Sequence, residues 1–326
     1  MLSSIRELSF YIPVLDTLVF GLNCWDSVEG LIITSRRLYK VIKNSSRCIS
    51  ACCLLLTALF IQSMVIQGVV AQDLAAQSSD FRAPRDGNGD PDFNGIWQAM
   101  GTAHWDIETH ESRAGPLWQL GALGAIPGGV GIVEGGSIPY TEAALARKLE
   151  NQSNWLELDP VVKCYMPGIP RANYMPYPFQ IMQTPDHVLF AYQFASASRT
   201  VFMDRPDYAA QIYTIMGHSL GHYEDETLVI TVSDQYDLTW FDSSGNHHSQ
   251  DMKVTERFTH IGPNTLHYEA TIDDPEIFTR PWKISMPLYR RVENDMRLVE
   301  FKCMEYSEEI LYGHLRQGAQ GIDAGQ

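Results

Sequence analysis

Residues 252–273 read MKVTERFTHIGPNTLHYEATID, and this stretch decides the fold class. Apolar and polar side chains alternate in residues 252–260 and again in 265–273, and the turn sequence IGPN separates the two runs. Alternation with a period of two is typical of half-buried strands, and a short break that contains Gly indicates a hairpin. The stretch therefore predicts two antiparallel strands joined by a short connection.

Similar runs recur along the chain with turn residues between them. They predict further strands at 179–183, 187–194, 227–232, 283–291 and 297–304. The only convincing helix covers residues 142–149 after Thr141, whose hydroxyl is suited to cap it. Strands at this spacing without intervening helices predict a mainly β fold, an antiparallel meander that curls into a barrel or a sandwich, and we expect the barrel. The Gly- and Pro-rich residues 113–139 predict a long irregular excursion or lid before it.

The N-terminal part of the chain carries the features of a secretory signal. Residues 48–70 are apolar and uncharged, Lys43 and Arg47 precede them, and Val69-Val70-Ala71 closes them with small residues. This order predicts cleavage after Ala71 and a periplasmic or secreted protein without stable membrane association. The alternative is an uncleaved membrane anchor, since the apolar stretch is long enough to span a bilayer.

A signal peptide should begin close to the N-terminus, yet this one follows about forty residues. We therefore interpret residues 1–40 as a misannotated or disordered extension and residues 41–71 as the signal peptide. Residues 72–92 are polar and contain Pro and Gly, which predicts a flexible leader. We expect residues 93–326 to form a single barrel-like domain.

Cysteine usage and charge agree with export and limit the partners. Four of the six cysteines precede the predicted cleavage site, and the remaining Cys164 and Cys303 are expected to pair in an oxidising compartment. The first 71 residues hold 6 of the 24 basic and 4 of the 39 acidic side chains, so the remainder is even more acidic than the full chain, whose net charge is −15. Such a surface repels phosphate backbones and excludes nucleic acid as a partner.

Two resemblances accompany these features. Gly95-Ile96-Trp97 at the start of the first strand resembles the Gly-x-Trp opening of lipocalin and calycin barrels. The blocks at 91–97, 163–171, 216–224, 254–258 and 271–282 together resemble a large group of exported bacterial proteins of unassigned function. The first resemblance implies a small-molecule-binding barrel. The second implies a periplasmic location and no particular chemistry.

Glu256 is the most informative candidate for chemistry. It shares the apolar face of its predicted strand with Val254 and Phe258, where a carboxylate is either paired with a cation or functional. A structural ion pair is one interpretation, with Arg171, Arg280 or a histidine as the partner. General acid or base catalysis is the other.

A second candidate is the sequence Gly217-His218-Ser219-Leu220-Gly221, which matches the G-x-S-x-G pattern. In α/β-hydrolases this pattern forms a turn between a strand and a helix, whereas here another strand is predicted to follow it. Close packing of a small-residue strand is therefore the alternative to a serine nucleophile. His218 and His222 would lie ~13 Å apart on a strand, too far to share a zinc ion, so no metal and no cofactor is predicted.

The remaining candidates lie in loops. His248 belongs to the polar segment 240–251, which has acid/base capacity or is an ordinary surface loop. The candidates for substrate binding are aromatic side chains near these loops and two arginines suited to an anion: Arg171, Tyr174, Tyr177, Trp240, Arg280 and Trp282.

Three functions follow from these candidates. The first is an extracytoplasmic acid/base enzyme acting on a small, rather apolar molecule through Glu256 with His218, His222 and His248. The second is a lipocalin-like carrier without catalysis. The third is a serine hydrolase centred on Ser219. A small molecule is the expected partner in each.

Overall fold

The computed structural model describes residues 81–115 and 118–303, and these residues form a closed barrel of nine strands. The strands are β1 (Gly95–Ala99), β2 (Phe179–Gln183), β3 (His187–Tyr192), β4 (Ser198–Met203), β5 (His218–Glu224), β6 (Thr227–Ser233), β7 (Lys253–Gly262), β8 (Thr265–Asp273) and β9 (Trp282–Arg290). Consecutive strands are neighbours, and β1 closes the barrel by pairing with β9. The predicted mainly β barrel is confirmed. The predicted extension, the signal peptide and the first part of the leader lie outside the described residues.

The hairpin predicted from residues 252–273 is present, since β7 and β8 pair in antiparallel register with Glu256 opposite Ala270. All neighbouring strands are antiparallel except β4 and β5, which are parallel. The prediction of an antiparallel meander is therefore wrong for the β4–β5 pair. Parallel neighbours need a crossover connection, and residues 204–217 supply it.

The prediction of a strand at residues 297–304 is wrong for the described residues 297–303, which are irregular. The edge that such a strand would need does not exist, because β9 already pairs with β8 on one side and with β1 on the other. The segment instead places the Phe301 ring 4.8 Å from that of Phe194 and 5.2 Å from that of Tyr177.

The long excursion lies between β1 and β2. It contains α1 (Glu142–Ser153), α2 (Trp155–Leu158) and short 3-10 turns at Trp118–Gly124, Pro160–Lys163 and Arg171–Tyr174; a fourth turn, Phe194–Ser196, follows β3. The predicted helix is confirmed, and the Thr141 hydroxyl accepts a hydrogen bond from the Ala144 amide. The helix continues four residues beyond the predicted end, to Ser153.

Large side chains fill the barrel interior. Trp97, Phe179, Phe190, Phe258 and Tyr268 are at most 1% exposed, and each lies on the inward face of its strand. The Trp97 indole also donates a hydrogen bond to the Phe93 carbonyl. Polar groups among these rings must find partners, and this requirement defines the site described next.

Candidate functional site

A buried hydrogen-bond network surrounds Glu256 inside the barrel. The Glu256 carboxylate is fully buried, and its Oε2 accepts a hydrogen bond from Arg199 Nη1 at 2.5 Å. Its Oε1 accepts from Asn173 Nδ2 at 2.6 Å and from the Tyr268 hydroxyl at 2.8 Å. The predicted alternation on β7 is confirmed, but the cation is Arg199 rather than Arg171, Arg280 or a histidine. Three donors and complete burial leave this carboxylate little capacity to act on a bound molecule.

Arg199 has unused hydrogen-bonding capacity on its other edge. Only Nη1 is bonded to Glu256, while Nε and Nη2 are buried without any hydrogen-bond partner among the described residues. Its guanidinium lies 4.3 Å from the centre of the Phe190 ring. Burial disfavours the charged form, but the Glu256 carboxylate outweighs it and raises the pKa of Arg199. The Tyr192 hydroxyl lies near Arg199 and donates to Asn173 Oδ1, so its oxygen can still accept from the guanidinium.

A cavity of about 350 Å³ lies beside β4 and the start of β5. Its lining includes Met166, Arg199, Phe202, Ile215, Met216 and Ser219. Ser219 is 1% exposed, and its hydroxyl has no hydrogen-bond partner among the described residues. Arg199 and Ser219 therefore contribute to the lining, although the unsatisfied Arg199 Nε, Arg199 Nη2 and Ser219 Oγ atoms are themselves inaccessible to a water-sized molecule. We call this space the Arg199 cavity.

The strand context of Ser219 differs from that of a nucleophile elbow. Ser219 lies within β5, opposite Val201 on β4 and Val232 on β6, and the next element is another strand. His218 also lines the cavity, but its Nε2 is 2.7 Å from the Tyr208 carbonyl oxygen. His222 is exposed and pairs with Glu224. Within the described part of the chain, no hydrogen-bonded base accompanies the Ser219 hydroxyl.

Arg171 belongs to a separate buried cluster in the excursion. It donates two hydrogen bonds to Asp159, at 2.7 and 2.8 Å, and a third to the Ser243 hydroxyl at 3.0 Å. Both charged side chains are at most 1% exposed. Such a bidentate pair fixes the loop around residue 243 against the turn after residue 159, and Arg171 Nε has no hydrogen-bond partner among the described residues.

Two carboxylates lie next to this cluster. The Ser244 amide donates to Asp242 Oδ1 and its hydroxyl donates to Asp106 Oδ2. Burial and the nearby Asp106 raise the pKa of Asp242 to about 7, against the opposing effect of hydrogen bonds from Ile107 and Asn246. Burial, with the charge of Arg171, lowers the pKa of His104 to about 4. This group of titratable side chains was not identified from the sequence.

A second cavity, also about 350 Å³, lies beside Asp106. Its lining is mostly apolar side chains and glycine backbone, and includes Met100, Gly129, Gly131, Tyr174 and Met286. A Cβ atom on Gly131 would come within 2.6 Å of the Thr109 amide, so the loop backbone can approach this closely only with glycine there. Of the predicted substrate-binding residues, Tyr174 lines this cavity.

The other predicted residues have structural surroundings. His248 is buried and bonded to the Thr239 hydroxyl at 2.7 Å. Trp282 packs edge-on against Phe241, with ring centres 5.4 Å apart. Trp240 is buried, and Arg280 is exposed. Tyr177 contacts the C-terminal segment, as described above. None of these five residues lines either cavity.

The structure contains the predicted disulfide between Cys164 and Cys303, with Cα atoms 5.5 Å apart. Within residues 81–115 and 118–303, no group of three or more His, Cys, Asp or Glu side chains is arranged to hold a metal ion. No helix in the same part of the chain is long and apolar enough to cross a membrane.

No protein-family profile, no curated protein and no solved structure matches this chain. The function must therefore be argued from the site itself.

Arg199 is the buried partner of Glu256 that sequence reasoning missed. It alternates with Val201 and Met203 on β4, so it stands on an apolar face in the same way as Glu256. That pattern was present in residues 198–203 but the segment was not identified as a strand. Asn173 gave no comparable signal, because it lies in a Pro-rich segment outside the sheet.

Proposed function

We propose that the protein is an exported small-molecule-binding barrel, and that its ligand occupies the Arg199 cavity. The observation that carries the proposal is a cavity of about 350 Å³ with apolar walls beside the buried Arg199–Glu256 ion pair. That volume falls in the range of small-molecule sites, which combine apolar walls with a few fixed polar groups. Met166, Phe202 and Ile215 supply apolar walls.

Binding without catalysis agrees better with this geometry than acid/base chemistry does. A general acid or base must reach the proton that it transfers, and Glu256 is fully enclosed by its three donors. A serine nucleophile needs a base within hydrogen-bond reach, and the Ser219 hydroxyl has no such partner in residues 81–115 and 118–303. The carrier function is therefore the preferred one of the three.

Export is part of the proposal. It is supported by the signal-like residues 41–71 and by the Cys164–Cys303 disulfide, since disulfides persist in oxidising compartments. Membership of the exported bacterial group that the sequence resembles stays a prediction.

The test is a titration of the purified protein with N-phenylnaphthylamine, an uncharged dye that fluoresces more strongly in apolar surroundings. We expect one saturable site in the wild type and at least about tenfold weaker binding in Ile215→Trp, because the larger side chain fills the cavity. Ile212→Trp is the matched control, since Ile212 is 71% exposed in the same connection and does not line the cavity. Equal affinities of the wild type and Ile215→Trp would refute the proposed site.

A further inference from the structure

Two buried carboxylates lie beside the second cavity, which we call the Asp106 cavity. Asp106 is 7% exposed and lines this cavity, and Asp242 is fully buried close to Asp106. Both are held around one serine, because the Ser244 amide donates to Asp242 Oδ1 at 2.9 Å and its hydroxyl donates to Asp106 Oδ2 at 2.7 Å. The Glu108 and Ile107 amides donate to the other oxygens. These donors are neutral, so they satisfy the carboxylates without cancelling their charge.

Neither carboxylate forms an ion pair with another described residue. The buried Arg171 is committed to Asp159 through two hydrogen bonds. Arg113 reaches the same serine, with Nη2 3.3 Å from Ser244 Oγ, but Arg113 is exposed to solvent. A buried negative charge without its own counter-charge is unfavourable. The two carboxylates therefore favour a cation in the space beside them.

The walls of the Asp106 cavity suit an apolar molecule. Besides Asp106, its lining includes Ala99, Met100, Val130, Ile132 and Met286. Met100 and Val130 are 63% and 90% exposed, so this apolar lining reaches the surface, where a ligand would enter. Charges attract over several ångströms in an apolar interior, so a cation in the cavity need not touch a carboxylate oxygen. The net charge of −15 on the chain also attracts cations.

We propose that the Asp106 cavity is a second binding site, and that its ligand is an ammonium compound with an apolar body, such as an alkylamine. The apolar body lies against Met100, Ile132 and Met286, and the ammonium group lies on the side of Asp106. There it supplies the counter-charge that the two carboxylates lack. This site is separate from the Arg199 cavity, because the two linings share no residue.

The experiment compares hexylamine with hexan-1-ol by isothermal titration calorimetry at pH 8.5. The two molecules have the same carbon chain, and an alkylamine is protonated at this pH because its pKa is near the ~10.4 of a lysine side chain. We expect hexylamine to bind at least about tenfold more tightly, since only the ammonium group is attracted by the carboxylates.

Two cavity-filling variants locate this binding. Ala99→Trp should weaken hexylamine binding about tenfold, because the larger side chain at this partly exposed position fills the Asp106 cavity. Ile215→Trp, which fills the Arg199 cavity, should leave hexylamine binding unchanged.

Asp106→Asn tests the charge directly. We expect it to remove the preference for hexylamine over hexan-1-ol, because asparagine keeps the shape of the side chain without its charge. Glu111→Gln is the matched control, since Glu111 is exposed and does not line the cavity, yet its replacement changes the net charge of the chain by the same amount. The control variant should keep the preference.

Proton release gives a second test in the unaltered protein. Burial and the charge of Asp106 raise the pKa of Asp242 to about 7, so Asp242 is partly protonated at neutral pH. A cation nearby lowers this pKa, so hexylamine binding at pH 7 should release protons, and its affinity should rise between pH 6 and pH 8.5. Titrations in two buffers of different ionisation enthalpy measure the protons released.

The other groups around Asp242 with shifted pKa values keep their charge over this pH range. Arg171 stays charged, because Asp159 raises its pKa against the effect of burial. Burial raises the pKa values of Tyr140 and Tyr174 well above their usual value, so both stay neutral. His104 also stays neutral, because burial lowers its pKa to about 4.

Each result decides for or against the ammonium site. Equal affinities for hexylamine and hexan-1-ol would overturn it, and so would hexylamine binding at pH 7 without proton release. A preference that survives in Asp106→Asn, or binding that is unaltered in Ala99→Trp, would also overturn it. If Asp106→Asn does not fold, proton release and Ala99→Trp decide the question. The dye titration described above tests the Arg199 cavity separately.

Discussion

Glu256 is a structural anchor at the residue scale, and its replacement should expose that role. In Glu256→Gln the buried Arg199 guanidinium loses its counter-charge, and breaking a buried pair in this way costs about 3–5 kcal/mol of the free energy of unfolding. Urea unfolding of the wild type and the variant measures the difference. Glu224→Gln is the control, because Glu224 forms an exposed pair with Arg257 and should give no measurable change. A fully stable Glu256→Gln variant would contradict the anchor role.

The strand pattern predicts that Glu256 is buried, but it does not predict which residue pairs with it. A carboxylate that alternates with Val254 and Phe258 must face a core, and this follows from the two-residue period of a strand alone. The partner Arg199 is 57 residues away on β4, which is not a neighbour of β7 in the barrel. Their contact depends on closure of the whole sheet, so local spacing could not predict it.

At the scale of elements, the turn that leads into β5 shapes the Arg199 cavity. Gly217 lines the cavity and has φ of +70°, a left-handed conformation that disfavours other residues. A Cβ atom there would lie 2.6 Å from Val232 Cγ1 and 2.9 Å from the Ser233 carbonyl oxygen. We expect Gly217→Ala to lose at least about 1–2 kcal/mol in urea unfolding and to bind N-phenylnaphthylamine more weakly.

Gly87→Ala supplies the comparison for that variant. A Cβ atom on Gly87 would meet nothing within 4 Å, so this substitution should preserve both stability and dye binding. If Gly217→Ala behaved in the same way, the turn would not determine the cavity. The comparison also controls for the general effect of replacing glycine on the unfolded chain.

Elements with strong local patterns were predicted well, and elements defined by distant pairing were not. The predicted strand at 265–273 coincides with β8, because alternation and the turn before it set both ends. β4 was missed although residues 198–203 alternate and pair antiparallel with β3; only its second pairing, the parallel one with β5, depends on the crossover. The strand predicted at 297–304 failed because barrel closure through β1 and β9 leaves no edge for residues 297–303. The cavity beside β4 and β5 could not be predicted either, because it depends on the parallel pairing of these two strands.

At the scale of the whole molecule, the Cys164–Cys303 disulfide joins the excursion to the segment after β9 across a sequence separation of 139 residues. Closing so long a loop restricts the unfolded chain far more than the folded one. On the chain-entropy account, the double variant Cys164→Ser, Cys303→Ser should lose up to about 5 kcal/mol of the free energy of unfolding. Urea unfolding of the oxidised wild type, the reduced wild type and the double variant measures this loss.

The three samples also test whether the bond, rather than the substitutions, is responsible. The reduced wild type and the double variant should unfold at the same lower urea concentration, because both lack the cross-link and differ only in two small side chains. The barrel core, formed by rings such as Trp97 and Phe258, should keep both forms folded in the absence of urea. Identical midpoints for all three samples would show that the disulfide does not contribute to stability. A double variant that unfolds well before the reduced wild type would instead assign the loss to packing around the two serines.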